Sequence, residues 1–310
     1  MQTQHQNTGV LFSPTARGVL YALLATFVWS FNFIAGRGLV DSIPPCTLAL
    51  LRWITAFCAI FPFALPELKR EWRHFTQHKW YYLATGAIGI AFFNTALYIA
   101  AHEVAALNMA LIFTSAPLFT IILSRIFFGE PIPPARAAGI SIVLTGVLAL
   151  ISQGDLRILT TLSFQAMDLL VLLSAFTFSL YALLVRKKPQ GGGQLSFFAV
   201  IFGIGIILLL PFSAWELAGG ATIHLSSTLV ISILYLGLGA SIFSFWFWSR
   251  AIELIGPARA AVVYYTMPLF CAVEAVFILG EPILRVHYVG GALIISGLLL
   301  ATQQPKRAAA

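Results

Sequence analysis

Long stretches without Lys, Arg, Asp or Glu alternate with short polar connections along the chain. A helix needs roughly 20 apolar residues to cross the hydrocarbon of a bilayer, and most of these stretches have about that length. The charge-free stretches are 18–36, 80–102, 104–124, 137–154, 169–185, 189–215, 226–249 and 286–305. Two others, 46–65 and 257–279, enclose Arg52 and Glu274. The pattern predicts an all-α membrane protein with ten transmembrane helices.

Composition excludes several other classes of protein. Hydrophobic residues make up 59% of the 310 residues and charged residues 9%, and the mean hydropathy is +0.91. A soluble domain carries about 25% charged residues, which cover its core. An ordinary soluble enzyme, a nucleic-acid-binding protein and a disordered chain are therefore excluded. The expected surrounding is a lipid bilayer.

The net charge of +7 is better explained by orientation in the membrane than by a nucleic-acid partner. Basic residues collect on the cytoplasmic side of a bilayer. With the N-terminus inside, 14 of the 18 Lys and Arg residues are cytoplasmic, and the other 4 are Arg37, Arg52, Arg157 and Arg285. We therefore expect cytoplasmic tails at 1–16 and 303–310, and no cleaved signal. Short loops without an Asn-x-Ser/Thr site favour a bacterial inner membrane, that is, the plasma membrane.

An internal repeat divides the chain. Residues 116–146 align with 267–297 without a gap, and nine of 31 positions are identical. The shared residues are Pro117/Pro268, Leu118/Leu269, Phe119/Phe270, Gly129/Gly280, Glu130/Glu281, Pro131/Pro282, Ile132/Ile283, Gly139/Gly290 and Gly146/Gly297. The repeat predicts two halves, 17–152 and 167–302, of five helices each. Because five is odd, the second half enters the membrane inverted, as in many transporters. A duplicated receptor or scaffold is the alternative.

Several short motifs carry a family resemblance. They are Trp29-Ser30-Phe31-Asn32-Phe33, Leu51-Arg52-Trp53, Ala106-Leu107-Asn108-Met109-Ala110, Ala116-Pro117-Leu118-Phe119 and the duplicated Gly-Glu-Pro. Over its whole length the sequence resembles the EamA family of the drug/metabolite transporter superfamily. The resemblance implies a ten-helix inner-membrane carrier that exports small metabolites, often amino acids. The second half departs from the pattern, with Leu180-Tyr181 in place of Phe31-Asn32 and no counterpart of Arg52, so any site is asymmetric.

Motifs for catalysis are lacking. The sequence has no Walker A motif and no His-Glu-x-x-His. We therefore expect no enzyme activity, no cofactor and no metal.

Two ionisable residues inside predicted spans are functional candidates, because such residues are costly in a membrane. Arg52 is expected to bind a substrate carboxylate through its guanidinium, or else to snorkel or hold backbone carbonyls at a helix end. Glu274 is a candidate for proton coupling. Its alternative is an ion pair with a basic group near the helix end, which the pattern favours slightly.

Turn and packing residues receive structural interpretations. Glu130 and Glu281, each between Gly and Pro, are expected to complement the N-terminal dipole of the following helix. Pro117 and Pro268 are expected to bend their helices in mid-span. The glycines that recur at seven-residue intervals suit close packing of the fifth and tenth helices, with a homodimer face as a further expectation.

Polar and aromatic residues at helical spacing predict a cavity between the halves, since small-ligand sites are mostly apolar with a few placed polar groups. The candidate substrate-binding residues are Trp29, Asn32, Arg52, Asn94, Tyr98, Tyr181, Trp248 and Tyr264. Taken singly, each is as well explained by an interhelical hydrogen bond or an interfacial aromatic belt.

The leading hypothesis is a secondary transporter that moves small metabolites, above all amino acids, out of the cell by alternating access. The alternatives are a carrier of drugs or nucleotide sugars and a non-transporting membrane receptor or assembly protein. Few basic residues lie in the spans, which argues against highly charged phosphate substrates.

Overall fold

The computed structural model describes residues 13–129, 132–155, 165–255, 260 and 263–302. Within these ranges all regular secondary structure is helical. In chain order the helices are α1 (Pro14–Gly38), α2 (Pro45–Gln77), α3 (Lys79–Ala100), α4 (Ala106–Phe128), α5 (Pro134–Ile151), α6 (Ala166–Arg186), α7 (Gln194–Ala218), α8 (Ser227–Ile255), α9 (Met267–Leu279) and α10 (Arg285–Thr302).

Seven of these helices, α1 to α4 and α6 to α8, are long and apolar enough to cross a membrane. Shorter apolar helices occur at Ala137–Leu150, within α5, and at Met267–Leu279. The prediction of an all-helical membrane protein is therefore confirmed, and the chain is a multi-pass membrane protein.

In the described part of the chain, three helices contain π-helical stretches: α3, α8 and, over Ala275–Leu279, α9. Those of α3 and α8 lie at matching places in the two halves. A π-helical stretch runs over Ala87–Phe92 in α3 and over Tyr235–Phe243 in α8. Such bulges widen the helix locally and are frequent at functional sites. Gly89 and Ile90 of the first stretch line the cavity described below, and Ser241 of the second contacts Arg52.

The two predicted proline bends take a different form in the structure. α4 is interrupted by a turn at Thr114 and Ser115, and Pro117 lies in the first turn of the segment that follows. Pro268 likewise lies in the first turn of α9. Proline is well tolerated there because the first N–H groups of a helix have no intrahelical acceptor. The prolines thus start helical segments rather than bend continuous ones.

Helix contacts repeat when the two halves are exchanged. α2 packs against α7, and α5 packs against α10. α1 packs against α8 and α9, and α6 packs against α3 and α4, which are the corresponding helices of the other half. This exchange is the signature of a two-fold pseudo-symmetric bundle.

The contacts of four glycines show how α5 and α10 run relative to each other. Gly146 faces Gly290 and Ile294, whereas Gly139 and Val143 face Gly297. Residues later in α5 thus face residues earlier in α10. The two helices therefore run antiparallel. Small residues let the backbones approach closely. The glycine stripes are thus used within one chain, and a homodimer remains a prediction.

Helices α2 and α7 are also antiparallel, because a carboxylate near the end of each one contacts the start of the other. Glu216 of α7 accepts hydrogen bonds from the Cys46 and Thr47 N–H groups at the start of α2, both at 2.9 Å. At the other end, Glu71 of α2 accepts from Gly193 N–H at 2.8 Å and from the Ser196 hydroxyl at 2.8 Å, at the start of α7. An acid at a helix N-terminus satisfies free N–H groups and the helix dipole.

Glu281 forms a contact between the two halves. Its two carboxylate oxygens accept from Ala106 N–H at 3.2 and 3.0 Å, at the start of α4, and it pairs with Arg37 at 3.6 Å. Glu281 thus caps the start of a helix in the other half. Its expected effect on the dipole of the next helix, α10, remains a prediction. Glu130 lies outside the described residues.

Candidate functional site

Arg52 is the centre of a buried polar cluster. It lies about two turns into α2 and is 4% exposed. Its Nη1 donates to Asn32 Oδ1 at 2.7 Å, Asn94 Oδ1 at 2.8 Å and Tyr98 OH at 2.9 Å. Its Nε donates to Ser241 Oγ at 2.9 Å. Helices α1, α2, α3 and α8 therefore meet at one guanidinium, and both halves contribute.

All these acceptors are neutral. The ion pairs among the described residues lie elsewhere, and none includes Arg52. The Trp53 ring lies 4.9 Å from the guanidinium carbon, which adds a cation–π contact. A buried cation without a carboxylate is costly, because neutral oxygens replace water only in part. The cluster therefore keeps a positive charge that an anion would stabilise.

A cavity adjoins this cluster, and about 60 Å³ of it has room for the centre of a water-sized sphere. Arg52, Asn32 and Asn94 are its polar members. Its aromatic wall consists of Trp29, Phe33, Trp53, Phe93, Phe113, Phe178, Tyr181, Phe198, Phe202, Phe245 and Tyr264. Gly89, in the π-helical stretch of α3, leaves room for the Tyr181 ring. A mostly apolar lining with few placed polar groups is typical of a small-ligand site.

Two residues that line the cavity each have a buried N–H donor without an acceptor among the described residues. These donors are Asn94 Nδ2 and Trp53 Nε1. Arginine can only donate, so Asn94 must turn its oxygen to Arg52 and its NH₂ group away. Unpaired buried donors cost about 1–3 kcal/mol each. The site therefore has an excess of donors and suits a ligand rich in acceptors.

An aromatic corner closes one side of the cavity. The Trp29 ring lies 5.5 Å from Trp248 and 6.1 Å from Tyr264, and those two rings are 5.8 Å apart. Trp29 Nε1 donates to Ala240 O at 3.1 Å, which fixes the indole. Rings held in this way present faces that attract cations and apolar groups.

Six of the eight predicted binding residues line the cavity: Trp29, Asn32, Arg52, Asn94, Tyr181 and Tyr264. Tyr98 and Trp248 do not line the cavity but contact residues that do. Tyr98 accepts a hydrogen bond from Arg52, and the Trp248 ring packs against Trp29 and Tyr264. Their roles in binding remain predictions. Sequence reasoning did not select Trp53 or most of the phenylalanines. The adjacent Arg52 was the available signal for Trp53, whereas phenylalanines are too common in spans to stand out.

Glu274 lies in α9, 6% exposed and outside the cavity wall. Its Oε1 is 2.9 Å from Ser30 Oγ on α1, and its Oε2 has no hydrogen-bond partner. The alternative predicted for it, a basic partner near the helix end, finds no counterpart among the described residues. Arg37 pairs with Glu281 instead.

Apolar helices in two related halves, with a cavity where the halves meet, define a membrane protein of the secondary-transporter type. Comparison with known proteins agrees. The model of the EamA-like transporter family matches residues 16–152 and again 165–303. The chain therefore belongs to the EamA-like transporter family, with one copy of the domain in each half.

Similar proteins include transporters with named substrates. A probable amino-acid metabolite efflux pump of Escherichia coli K12 is 27% identical over 91% of this chain and 93% of its own. A probable terminal-alkyne amino-acid exporter of Streptantibioticus cattleyicolor is 28% identical over 92% and 93%. A solved crystal structure, 17% identical, covers 92% of this chain and 96% of its own with a TM-score of 0.60. That last likeness concerns the fold alone.

Proposed function

We propose that this chain exports small carboxylates with an apolar body, amino acids above all, across a bacterial inner membrane. It crosses the membrane ten times, in two inverted halves, and works by alternating access. The antiparallel pairing of α2 with α7 and of α5 with α10 supports the inversion, because each pair joins equivalent helices of the two halves. Relatives named as amino-acid exporters support the substrate class.

The donor excess beside Arg52 carries the proposal. A carboxylate brings the acceptors and the negative charge that Arg52, Asn94 Nδ2 and Trp53 Nε1 lack. Charge-assisted hydrogen bonds to a guanidinium are about twice as strong as neutral ones. The aromatic wall takes up the apolar body, and the ring faces of the Trp29 corner attract an ammonium group.

Flux measurements test this proposal. We expect liposomes with the purified protein to exchange labelled leucine or phenylalanine at least about tenfold faster than empty liposomes. Leucinamide has the same apolar body and ammonium but no carboxylate, so it should compete poorly with labelled leucine. Equal competition by leucinamide contradicts the carboxylate site. Exchange of a drug or a nucleotide sugar, with no movement of any amino acid, contradicts the substrate class.

Reporter fusions test the orientation. We expect alkaline phosphatase to be inactive and green fluorescent protein to be fluorescent at both the N-terminus and the C-terminus, because ten crossings return the chain to the side where it began. Fusions after Ile43 and after Gly220, in the connections that follow α1 and α7, should give the opposite result. Termini on opposite sides would exclude an even number of spans.

A further inference from the structure

The hydroxyl of Ser30 has one proton and two close oxygen neighbours. Ser30 Oγ lies 2.7 Å from Phe27 O on its own helix and 2.9 Å from Glu274 Oε1. Phe27 O can only accept a hydrogen bond, so the shorter contact takes the serine proton. The contact to Glu274 then needs a proton from the carboxyl group itself. A protonated Glu274 that donates to Ser30 Oγ satisfies both contacts.

The surroundings of Glu274 also favour the neutral acid. No charged group of α1 or α4 in the described part contributes to its electrostatics. Tyr235 of α8 and Cys271 of α9 are the titratable groups close enough to interact with it. Both types of side chain are ordinarily neutral at pH 7. An ionised Glu274 would be a buried charge with one unsatisfied oxygen and no cation, which is strongly unfavourable.

Helix α1 connects this carboxyl group to the cavity. Asn32 and Trp29 face the cavity, whereas Ser30, between them, contacts Glu274. On α9, Met267 lines the cavity two turns before Glu274. A shift of α1 against α9 that accompanies occupation of the cavity would therefore change the surroundings of Glu274. The corresponding residue of the first half is Leu123, so this device exists once per chain.

We propose that Glu274 binds the proton that is exchanged for substrate in each transport cycle, and that this conformation holds it protonated. This inference rests on the proposed function. When α1 and α9 separate, water reaches the carboxyl group, its O–H bond breaks and the proton leaves to that side. Protonation from the other side restores the state described here. One proton enters for each substrate molecule that leaves.

Two measurements distinguish proton coupling from transport itself. Accumulation of leucine in a pH gradient reports coupling, and leucine–leucine exchange reports transport. The test uses liposomes with a lumen at pH 6 in a medium at pH 7 and a membrane potential clamped at zero. They should accumulate labelled leucine up to about tenfold, because one pH unit is a tenfold difference in proton concentration and one proton is exchanged for one leucine. Glu274→Gln mimics the protonated acid. It cannot release a proton, so it should lose the accumulation. Leucine–leucine exchange should slow as well, because the protein gives up this proton when it binds substrate. A pH dye in the lumen should report proton efflux upon leucine uptake in the wild type only.

Two control variants have defined outcomes. Glu253→Gln, an exposed acid paired with Arg250, should accumulate leucine as the wild type does. Asp168→Asn tests another buried acid, whose two oxygens also lack partners. If Asp168→Asn loses accumulation while Glu274→Gln retains it, the proposal is overturned.

The remaining outcomes are equally decisive. Wild-type exchange without accumulation overturns coupling and leaves the proposed function intact, whereas absence of wild-type exchange overturns the proposed function itself. If Glu274→Gln is folded but exchanges no leucine, Glu274→Asp, which keeps a proton site, becomes the test. Restored exchange and accumulation support the proposal. Loss of both assigns Glu274 a structural role and overturns it.

Discussion

Arg52→Gln is expected to slow leucine exchange by about 30-fold or more while the protein remains folded. The variant removes the cation that faces the cavity but keeps a side chain that can hydrogen-bond to Asn32. Loss of a buried charge-assisted contact to a ligand costs about 2–5 kcal/mol, and each 1.36 kcal/mol corresponds to tenfold. Gln can replace only part of the four hydrogen bonds of Arg52, so a moderate loss of stability is expected beside the loss of exchange. The measurement is initial exchange rate against leucine concentration.

Two further substitutions make this result specific. Arg52→Lys keeps the charge but loses the planar fork, so we expect an intermediate rate. Arg250→Gln removes a basic residue at the exposed end of α8 and should leave the rate unchanged. Size-exclusion chromatography and thermal unfolding in detergent check the fold of each variant. Wild-type exchange by folded Arg52→Gln would remove the carboxylate-binding role.

The cavity residues show why part of the site could be predicted. Asn94 and Tyr98 lie four residues apart on α3, so helical geometry alone places them on one face. The cost of a polar group in a membrane then directs that face towards protein. The same reasoning selects Arg52. Local spacing and bilayer energetics thus identify the inward faces, without any knowledge of the neighbouring helix.

Contacts between the halves could not be obtained in this way. Nothing in the sequence around Glu281 indicates that its partner is the start of α4, or that Ser30 lies against Glu274. Such contacts depend on the rotation and depth of helices from separate halves, which local periodicity does not specify. The interruption of α4 at Thr114 was missed for a related reason, because a proline pattern fits both a bend and a new helix start.

Gly297→Ala is expected to lower the unfolding temperature in detergent by about 3 °C, from a destabilisation of about 2 kcal/mol. A Cβ at this position would lie 2.7 Å from Gly139 O and 2.8 Å from Val143 N. Both are backbone atoms, so α5 and α10 would have to separate along their whole contact. Gly146→Ala should cost as much, because the Cβ would lie 2.9 Å from Gly290 O, the equivalent contact with the halves exchanged.

Gly291→Ala is the matched control on α10. The Cβ would lie 3.3 Å from Leu111 Cδ2, the end of a flexible side chain that can move aside. Alanine is a better helix former than glycine by about 1 kcal/mol, which opposes any small clash. We therefore expect its unfolding temperature to match or exceed that of the wild type. If Gly297→Ala and Gly291→Ala unfold at the same temperature, the close backbone contact between α5 and α10 at Gly297 does not contribute to stability, and the prediction is wrong.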